Sequence, residues 1–302
     1  MSNIFSSKTA VALGSFDGLH KGHISVIASA LEKRASGLLP CALLFDCHPQ
    51  SLLGTAPPEI MQKSVRKELL EKMGIAIHTV CFGDIHTMSP EEFFRKVLVE
   101  EMNCDAVCCG FNYRFGYMGR GNTDTLAKLC NEAGIELTVT PDITYMGEAV
   151  SSTRIRLAVE SGDIPSANRM LGRPFAYRGE IMRGDARGRL MGAPTANQYF
   201  EDGFVIPSFG VYSAVTHIYG TEYPCVTNIG FRPTFEGREL RSETHIIGFS
   251  GDLYGKVIDV GLLAKIRDEQ RFESMDALGQ RIKEDIGQSL RIFEKRGENG
   301  YV

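Results

Sequence analysis

Two hydrophobic periodicities alternate along the first half of the chain. Short apolar runs bounded by turn-forming residues predict β-strands at Thr9–Phe16, Cys41–Asp46, Ile77–Phe82, Asp105–Phe111 and Glu136–Thr140. Apolar residues at every third or fourth position predict helices at Gly22–Arg34, Ser64–Met73, Ser89–Met102 and Thr123–Ala133. Strands that alternate with helices indicate a parallel sheet covered on both faces, as in Rossmann-like α/β domains that bind nucleotides.

The pattern changes after Gly147. Two short helices are predicted at Thr153–Glu160 and Ile164–Leu171, and Gly172-Arg173-Pro174 then interrupts the helical periodicity. We therefore predict two domains, 1–171 and 172–302, which agrees with the usual size of about 100–200 residues for a domain.

The second half is rich in β-pattern. Strands are predicted at Phe175–Met182, Gly210–Tyr219, Tyr223–Asn228, Thr244–Phe249 and Lys256–Leu263. A single long amphipathic helix follows at Glu273–Lys295. Successive short strands and one final helix predict an antiparallel β-barrel closed by that helix.

Composition excludes several classes of protein. The chain has 33 Lys and Arg against 37 Asp and Glu, a net charge of −4, so it lacks the basic surface expected for binding nucleic acid. No apolar run approaches the roughly 18 residues of a membrane span, and no signal peptide is visible. The 8 cysteines include no C-x-x-C pair, which favours buried free thiols in a reducing cytoplasm. The oligomeric state stays open, a homo-oligomer included.

A glycine-rich turn, Gly14–His23, links the first strand to the first helix. Backbone N–H groups and the helix dipole favour phosphate at such a turn, although neither the Walker nor the dinucleotide-binding glycine pattern is present. His20 and His23 could donate hydrogen bonds to an α-phosphate during in-line displacement. Capping or solvent-facing histidines are the simpler alternative, and a zinc site is a weaker third.

A second phosphate-binding candidate is Ser151–Arg156. Ser152 and Thr153 can cap a helix, but Arg154 and Arg156 in its first turn oppose the helix dipole, so they need another justification. A polyphosphate would supply one; a plain helix cap is equally compatible with this segment.

Three features of the second half suit phosphoryl transfer. Gly184–Gly192 is rich in Gly and Arg, as a flap over phosphates would be. Thr195 and Asn197 could reach one Mg²⁺ from the same side of an extended segment. Glu243 opens a strand-like run and could act as a general base, although an ordinary turn and a solvated charge are the simpler alternatives for these residues.

Ten short motifs occur in order along the chain: Gly14–Gly18 with His20 and His23, Phe45–Pro49, Gly110–Gly116, Ser151–Arg156, Ala167–Pro174, Gly184-Asp185, Arg187–Arg189, Pro194–Asn197, Asn228–Gly230 and Glu243–His245. In this order they resemble the motifs of one family, the bacterial bifunctional riboflavin kinase/FMN adenylyltransferases. The resemblance implies that riboflavin is phosphorylated in the second domain and that FMN is adenylylated to FAD in the first. It further implies Mg²⁺, ATP as co-substrate, and FMN and FAD as product ligands.

The resemblance also implies roles for individual residues. In the first domain, ATP would contact Gly14, Phe16, Asp17, Gly22, Ser152, Thr153 and Arg156, with His20 and His23 as catalytic residues. Its flavin would lie near Asn112, Phe115 and His48, and that of the second domain near Arg267. The kinase ATP would contact Gly184, Arg187, Gly188, Thr195 and Asn197, with Glu243 as base. Ala186, Ala193 and Cys47 depart from the family pattern without removing a required chemical group.

Two other functions stay open on the sequence alone. One is a monofunctional FMN adenylyltransferase with a degenerate kinase module. The other is a non-catalytic sensor that binds flavin or nucleotide in both domains. Intact His20, His23, Thr195, Asn197 and Glu243 disfavour the sensor, because a pure binding protein has no use for a base.

Overall fold

The computed structural model describes residues 4–48, 50, 51, 54, 56–182, 195–234 and 237–299. The described residues of 1–57 and 63–151 form one compact unit, and those of 58–62 and 152–302 form a second. The helices of 152–171 therefore pack with the second unit. The domain boundary at 171/172 stays a prediction.

The first unit is built on a five-stranded parallel sheet, which confirms the predicted Rossmann-like architecture. Its strands, in chain order, are β1 (Thr9–Leu13), β2 (Leu39–Phe45), β3 (Ala76–Val80), β4 (Cys104–Gly110) and β5 (Glu136–Thr140). The spatial order is β3-β2-β1-β4-β5. Strands β2 and β3 therefore lie on one side of β1 and strands β4 and β5 on the other, which makes the position between β1 and β4 a topological switch point. Ligands in such sheets bind beyond the carboxyl ends of the strands at this switch point.

Helices flank this sheet. They are α1 (Lys21–Glu32), α2 (Lys63–Lys72), α3 (Phe82–Ile85), α4 (Pro90–Phe93) and α5 (Thr123–Ala133). The predicted helix Ser89–Met102 begins with a capping box between Ser89 and Glu92 but widens into a π-helix over Phe94–Glu101. The wider turn lets adjacent apolar residues Phe93 and Phe94 both face the core. A small hairpin follows β5, formed by β6 (Thr144–Tyr145) and β7 (Glu148–Ala149).

The second unit begins with two helices and continues as an antiparallel sheet. The helices are α6 (Ser152–Ser161) and α7 (Ile164–Leu171). The strands are β8 (Phe175–Glu180), β9 (Thr195–Tyr199), β10 (Gly210–Ile218), β11 (Thr221–Thr234), β12 (Gly237–Ile246) and β13 (Val257–Arg267). Their spatial order is β8-β13-β10-β11-β12-β9. The sequence pattern did not predict β9 as a strand, because its polar residues show no apolar alternation.

This sheet is curled, so that its edge strands approach each other. The Met182 N–H donates to the Asn197 carbonyl at 2.9 Å, and Gln198 Nε2 donates to the Gly179 carbonyl at 2.8 Å. In the described part of the chain the two edges share one β-bridge and no continuous ladder, so this part of the sheet is a curled half-barrel.

The last helix, α8 (Met275–Asn299), packs on β10, β11 and β13. Ser289 donates to the Cys225 carbonyl at 2.7 Å, and its hydroxyl lies 2.8 Å from that of Ser213. These buried polar contacts hold the helix on the sheet and so set the position of Asp285 on that helix.

Candidate functional sites

The Gly14–His23 turn is a strained loop at the carboxyl end of β1. Phe16, Gly18 and Leu19 have φ values of 52°, 80° and 42°, and the Leu19 N–H donates to the Phe16 carbonyl at 3.2 Å. Positive φ costs free energy in Phe and Leu, so both side chains are held by complete burial. Strain held by packing in this way is frequent at ligand sites.

His20 and His23 lie together at the start of α1. His20 is the N-cap, and its Nδ1 accepts a hydrogen bond from the His23 backbone N–H at 3.2 Å. The two rings stack with centroids 3.6 Å apart, and Phe16 contacts the His23 ring edge-on. Because Nδ1 of His20 accepts, the neutral ring carries its proton on Nε2. A Cβ at Gly22 would come within 3.2 Å of the His20 ring, which favours glycine there.

The Ser152, Thr153 and Arg156 candidates lie in the first turns of α6. Arg156 is buried, and its Nε donates to the Pro58 carbonyl at 2.6 Å. All of these residues belong to the second packing unit. Their assignment to the adenylyltransferase site stays a prediction.

The flavin candidates of the first unit differ in exposure. Asn112 is exposed just after β4, and His48 lies three residues after β2, so both are at the same edge of the sheet as the Gly14–His23 loop. Phe115 is buried in the core, with its ring centroid 5.8 Å from those of Phe93 and Tyr113. Phe115 therefore supports the loop after β4 from beneath.

Asp46 and two thiols form a cluster at this edge that the sequence did not reveal. Asp46 Oδ1 accepts the Phe82 N–H at 2.9 Å, and this hydrogen bond, with smaller contributions from Cys81 and Cys47, lowers the pKa of the carboxyl. Burial and the neighbouring Asp46 raise the pKa of the Cys47 thiol. The contact depends on Asp46 and Cys81 lying on adjacent strand ends, and no spacing along the chain indicates that.

The kinase candidates of the second unit meet through strand register. Glu243 on β12 pairs directly with Asn197 on β9 and with Asn228 on β11, and His245 pairs with Thr195. Directly opposed residues have Cβ atoms about 4.5–5.5 Å apart on one face of the sheet. Glu243 lies inside β12 and does not open the strand as its sequence pattern suggested. The structure thus brings Thr195, Asn197 and Glu243 together.

Glu243 and Asn197 differ in how their side-chain oxygens are paired. Glu243 Oε1 accepts hydrogen bonds from Arg241 Nη2 at 2.8 Å and Nε at 3.1 Å. Asn197 is 4% exposed, and its buried Oδ1 has no hydrogen-bond partner among the described residues. An orphaned buried oxygen on the strand face that also carries Thr195 and Glu243 fits a hard cation such as Mg²⁺. The residues present therefore fit the metal that the family implies.

Arg267, the flavin candidate of this unit, is held by α8. Its Nε and Nη2 lie 3.0 and 2.9 Å from Asp285 Oδ2, and its guanidinium lies 5.7 Å from the Phe272 ring centroid. Arg281 Nε reaches the other oxygen of Asp285 at 3.2 Å. Sequence reasoning missed Arg241 and Asp285, because charged residues on a strand and a long helix ordinarily face solvent. Gly184, Arg187 and Gly188, with Ala186 and Ala193, lie outside the described residues.

Comparison with known proteins agrees with this two-part organisation. A family model described as FAD synthetase matches residues 3–154, and one described as riboflavin kinase matches residues 171–293. The bifunctional riboflavin kinase/FMN adenylyltransferase of Bacillus subtilis (strain 168) is 31% identical over 297 residues, covering 95% of this chain and 93% of that protein. Its counterpart in Escherichia coli (strain K12) is 33% identical over 282 residues, covering 91% and 90%.

A solved structure shares the fold. The crystal structure described as a macrolide-efflux protein from Streptococcus pneumoniae matches with a TM-score of 0.85 and 31% identity over 94% of each chain. That description applies to the streptococcal protein. Among the residues described here, no helix is long and apolar enough to cross a membrane. The matched domains and the near-complete coverage at this identity show that the chain belongs to the family of bifunctional riboflavin kinase/FMN adenylyltransferases.

Proposed function

We propose that this chain converts riboflavin to FMN and FMN to FAD, consuming one ATP in each step. The observation that carries the proposal is that one chain holds both a His20/His23 loop on a parallel sheet and the cross-strand group of Asn197 and Glu243. Membership of the bifunctional family supports the pairing of the two activities.

In the kinase reaction, the primary hydroxyl of riboflavin attacks the γ-phosphate of ATP, and ADP leaves. An alcohol must lose its proton, so a general base is expected, and Glu243 is the carboxylate beside the orphaned Asn197 oxygen. Asn197 and Thr195 would hold Mg²⁺, which neutralises charge on the phosphates when bound. Gly184, Arg187 and Gly188 would cover those phosphates, and Arg267 would contact the flavin. The complete domain, 172–302, would be a barrel closed by α8.

In the adenylyltransferase reaction, a phosphate oxygen of FMN attacks the α-phosphate of ATP, and pyrophosphate leaves. The second pKa of a phosphate monoester is near 6, so the nucleophile is already anionic and needs no carboxylate base. What the site must supply is positioning and hydrogen-bond donors to the developing charge. His20, His23, Ser152, Thr153 and Arg156 are suited to that, with Gly14, Phe16, Asp17 and Gly22 forming the phosphate loop. Asn112, Phe115 and His48 would border the flavin.

We infer a cytoplasmic location from the state of the thiols. All of the cysteines are free thiols, and most are buried, which suits a reducing cytoplasm.

The test is chromatography of the products that the purified chain makes from riboflavin, ATP and Mg²⁺, with a parallel reaction that starts from FMN. We expect FMN and then FAD in the first reaction, and FAD in the second. If FAD forms only in the reaction that starts from FMN, the kinase is degenerate. Ala186 and Ala193 would then be the first residues to replace by those typical of the family. FMN without FAD would direct attention to the first unit and Cys47. No product in either reaction would leave the sensor alternative standing and overturn the enzymatic proposal.

A further inference from the structure

Arg66 on α2 is a buried cation to which the proposed function gives no role. The residue is 8% exposed, and its Nη1 donates to the Ser15 carbonyl oxygen at 3.2 Å. Nε is buried and has no hydrogen-bond partner among the described residues. None of the salt bridges between described residues includes this guanidinium.

The absence of a described carboxylate sets Arg66 apart from comparable arginines. Arg241 is similarly buried and pairs with Glu243, and the Arg267 side chain is mostly buried and pairs with Asp285. A guanidinium cannot lose its proton to avoid the cost of burial, and an uncompensated buried charge is strongly unfavourable. A cation kept in this state is well suited to an anionic ligand that completes its pairing.

The place of Arg66 indicates which anion. Ser15, the residue that Arg66 contacts, lies in the Gly14–His23 loop, between β1 and the amino end of the 12-residue helix α1. The helix dipole, the backbone N–H groups and the two stacked imidazoles already favour negative charge at this loop. The guanidinium reaches the same loop from α2, which follows the neighbouring strand β2.

We propose that Arg66 binds a phosphate oxyanion at the Gly14–His23 loop, through Nε and the guanidinium fork, and so is a further substrate-binding residue of the adenylyltransferase site. The inference rests on the proposed function, because adenylyl transfer brings the phosphates of ATP and of FMN to this loop. Both substrates offer the same oxyanion chemistry, to which planar arginine is well matched. The experiment must therefore distinguish the two sources.

The test compares the wild-type chain with Arg66→Met and Arg66→Lys, using FAD formation from FMN as the readout specific to this site. Three constants are measured: the KM for ATP, the KM for FMN and the inhibition constant of inorganic pyrophosphate. We expect Arg66→Met to raise at least one KM by roughly 10- to 100-fold, as for loss of a charged hydrogen bond. Arg66→Lys keeps the charge but loses the fork, so it should recover part of that loss.

The pattern of constants identifies the phosphate. A rise in the KM for ATP together with the pyrophosphate constant assigns the ATP phosphates, and a rise in the KM for FMN alone assigns the FMN phosphate. The matched control is Arg95→Met, an exposed arginine of the same unit that pairs with Glu100 and should leave all three constants unchanged.

Folding is checked with riboflavin phosphorylation, which should persist in every variant. If Arg66→Met loses that activity as well, the variant is misfolded and Arg66→Lys becomes the test. We then expect Arg66→Lys to raise the KM for ATP or the KM for FMN several-fold. Unchanged constants in both variants, or an equal fall in kcat without any change in KM, would overturn the inference and leave Arg66 a packing residue. A wild-type chain that makes no FAD would instead contradict the proposed function.

Discussion

The two candidate sites are built in opposite ways. The first is largely one continuous loop, Gly14–His23, in which a strand end, strained turn and helix start follow each other along ten residues. The second is assembled from β9, β11 and β12, whose register sets Asn197, Glu243 and Asn228 side by side. The proposed chemistry of the two sites differs as well. The loop offers hydrogen-bond donors to a reaction with an anionic nucleophile, whereas the strands offer a carboxylate base to an alcohol.

The largest expected effect separates the two chemistries. Glu243→Gln keeps the size of the side chain and an oxygen for Arg241 but removes the base. We expect FMN formation from riboflavin to fall roughly 10²- to 10⁴-fold, while FAD formation from added FMN is unchanged. Product chromatography from each substrate measures both rates.

The matched control for this substitution is Glu239→Gln on the same strand. Glu239 is exposed and accepts a hydrogen bond from Tyr199 at 3.2 Å. It should leave both rates intact. Normal FMN formation by Glu243→Gln would show that no base acts at this position, and the contrast between the two sites would then lose its chemical basis.

The corresponding substitution in the first site is His20→Asn. Asparagine can still accept the His23 N–H as an N-cap, so the helix start is preserved while the imidazole is lost. We expect FAD formation to fall about 10²- to 10³-fold, the cost of one donor to a developing oxyanion, with riboflavin phosphorylation unchanged. His86→Asn is the control, since His86 is an exposed histidine of the same unit whose ring lies against the Gly83 carbonyl and Phe82. Equal loss of both activities would indicate misfolding in place of a local catalytic role.

This difference in construction also explains how far the sequence could be read. The bounds of Thr123–Ala133 and Ile164–Leu171 were predicted correctly, because Asn122 and Asp163 cap their starts and glycines at 134 and 172 end them. The Gly14–His23 loop was identified for the same reason, since all its determinants are local. The pairing of Glu243 with Asn197 could not be derived from the residues alone, because register depends on a sheet whose strand β9 has no apolar alternation.

Contacts between residues far apart in the sequence were also not predictable. Arg66 lies in a helix that was predicted almost to its ends, yet nothing in its periodicity indicates that this arginine faces Ser15. Asp285 likewise lies on a helix predicted as one apolar stripe, and only the packed sheet shows that it meets Arg267. Buried ionic groups are therefore the features that a sequence pattern conceals most completely.

The next prediction concerns stability and tests the buried ion pair between Asp285 and Arg267 in the second unit. Asp285→Asn leaves the guanidinium of Arg267 largely buried without its carboxylate, so we expect the free energy of unfolding to fall by about 3 kcal/mol. Denaturant unfolding monitored in the full chain measures this change. Glu284→Gln, at an exposed position beside Asp285, should change stability by less than about 0.5 kcal/mol. A stable Asp285→Asn variant would show that the pair is dispensable for the fold.

The smallest effect concerns thiol reactivity at the edge of the first site. Burial raises the pKa of Cys41 and Cys109 to about 12 and that of Cys108 and Cys130 to about 11, and it also raises the pKa of Cys104 and Cys225. A thiol reacts as thiolate, which forms only as pH approaches the raised pKa, so at pH 8 these six should react only after unfolding. Exposed Cys81 should react first, and half-buried Cys47 more slowly because burial and the neighbouring Asp46 raise its pKa. Mass spectrometry of peptides after brief labelling gives the order. Early labelling of Cys41 or Cys109 would contradict the packing of the parallel sheet, whereas protection of Cys47 by FMN would place the flavin beside Asp46 and His48.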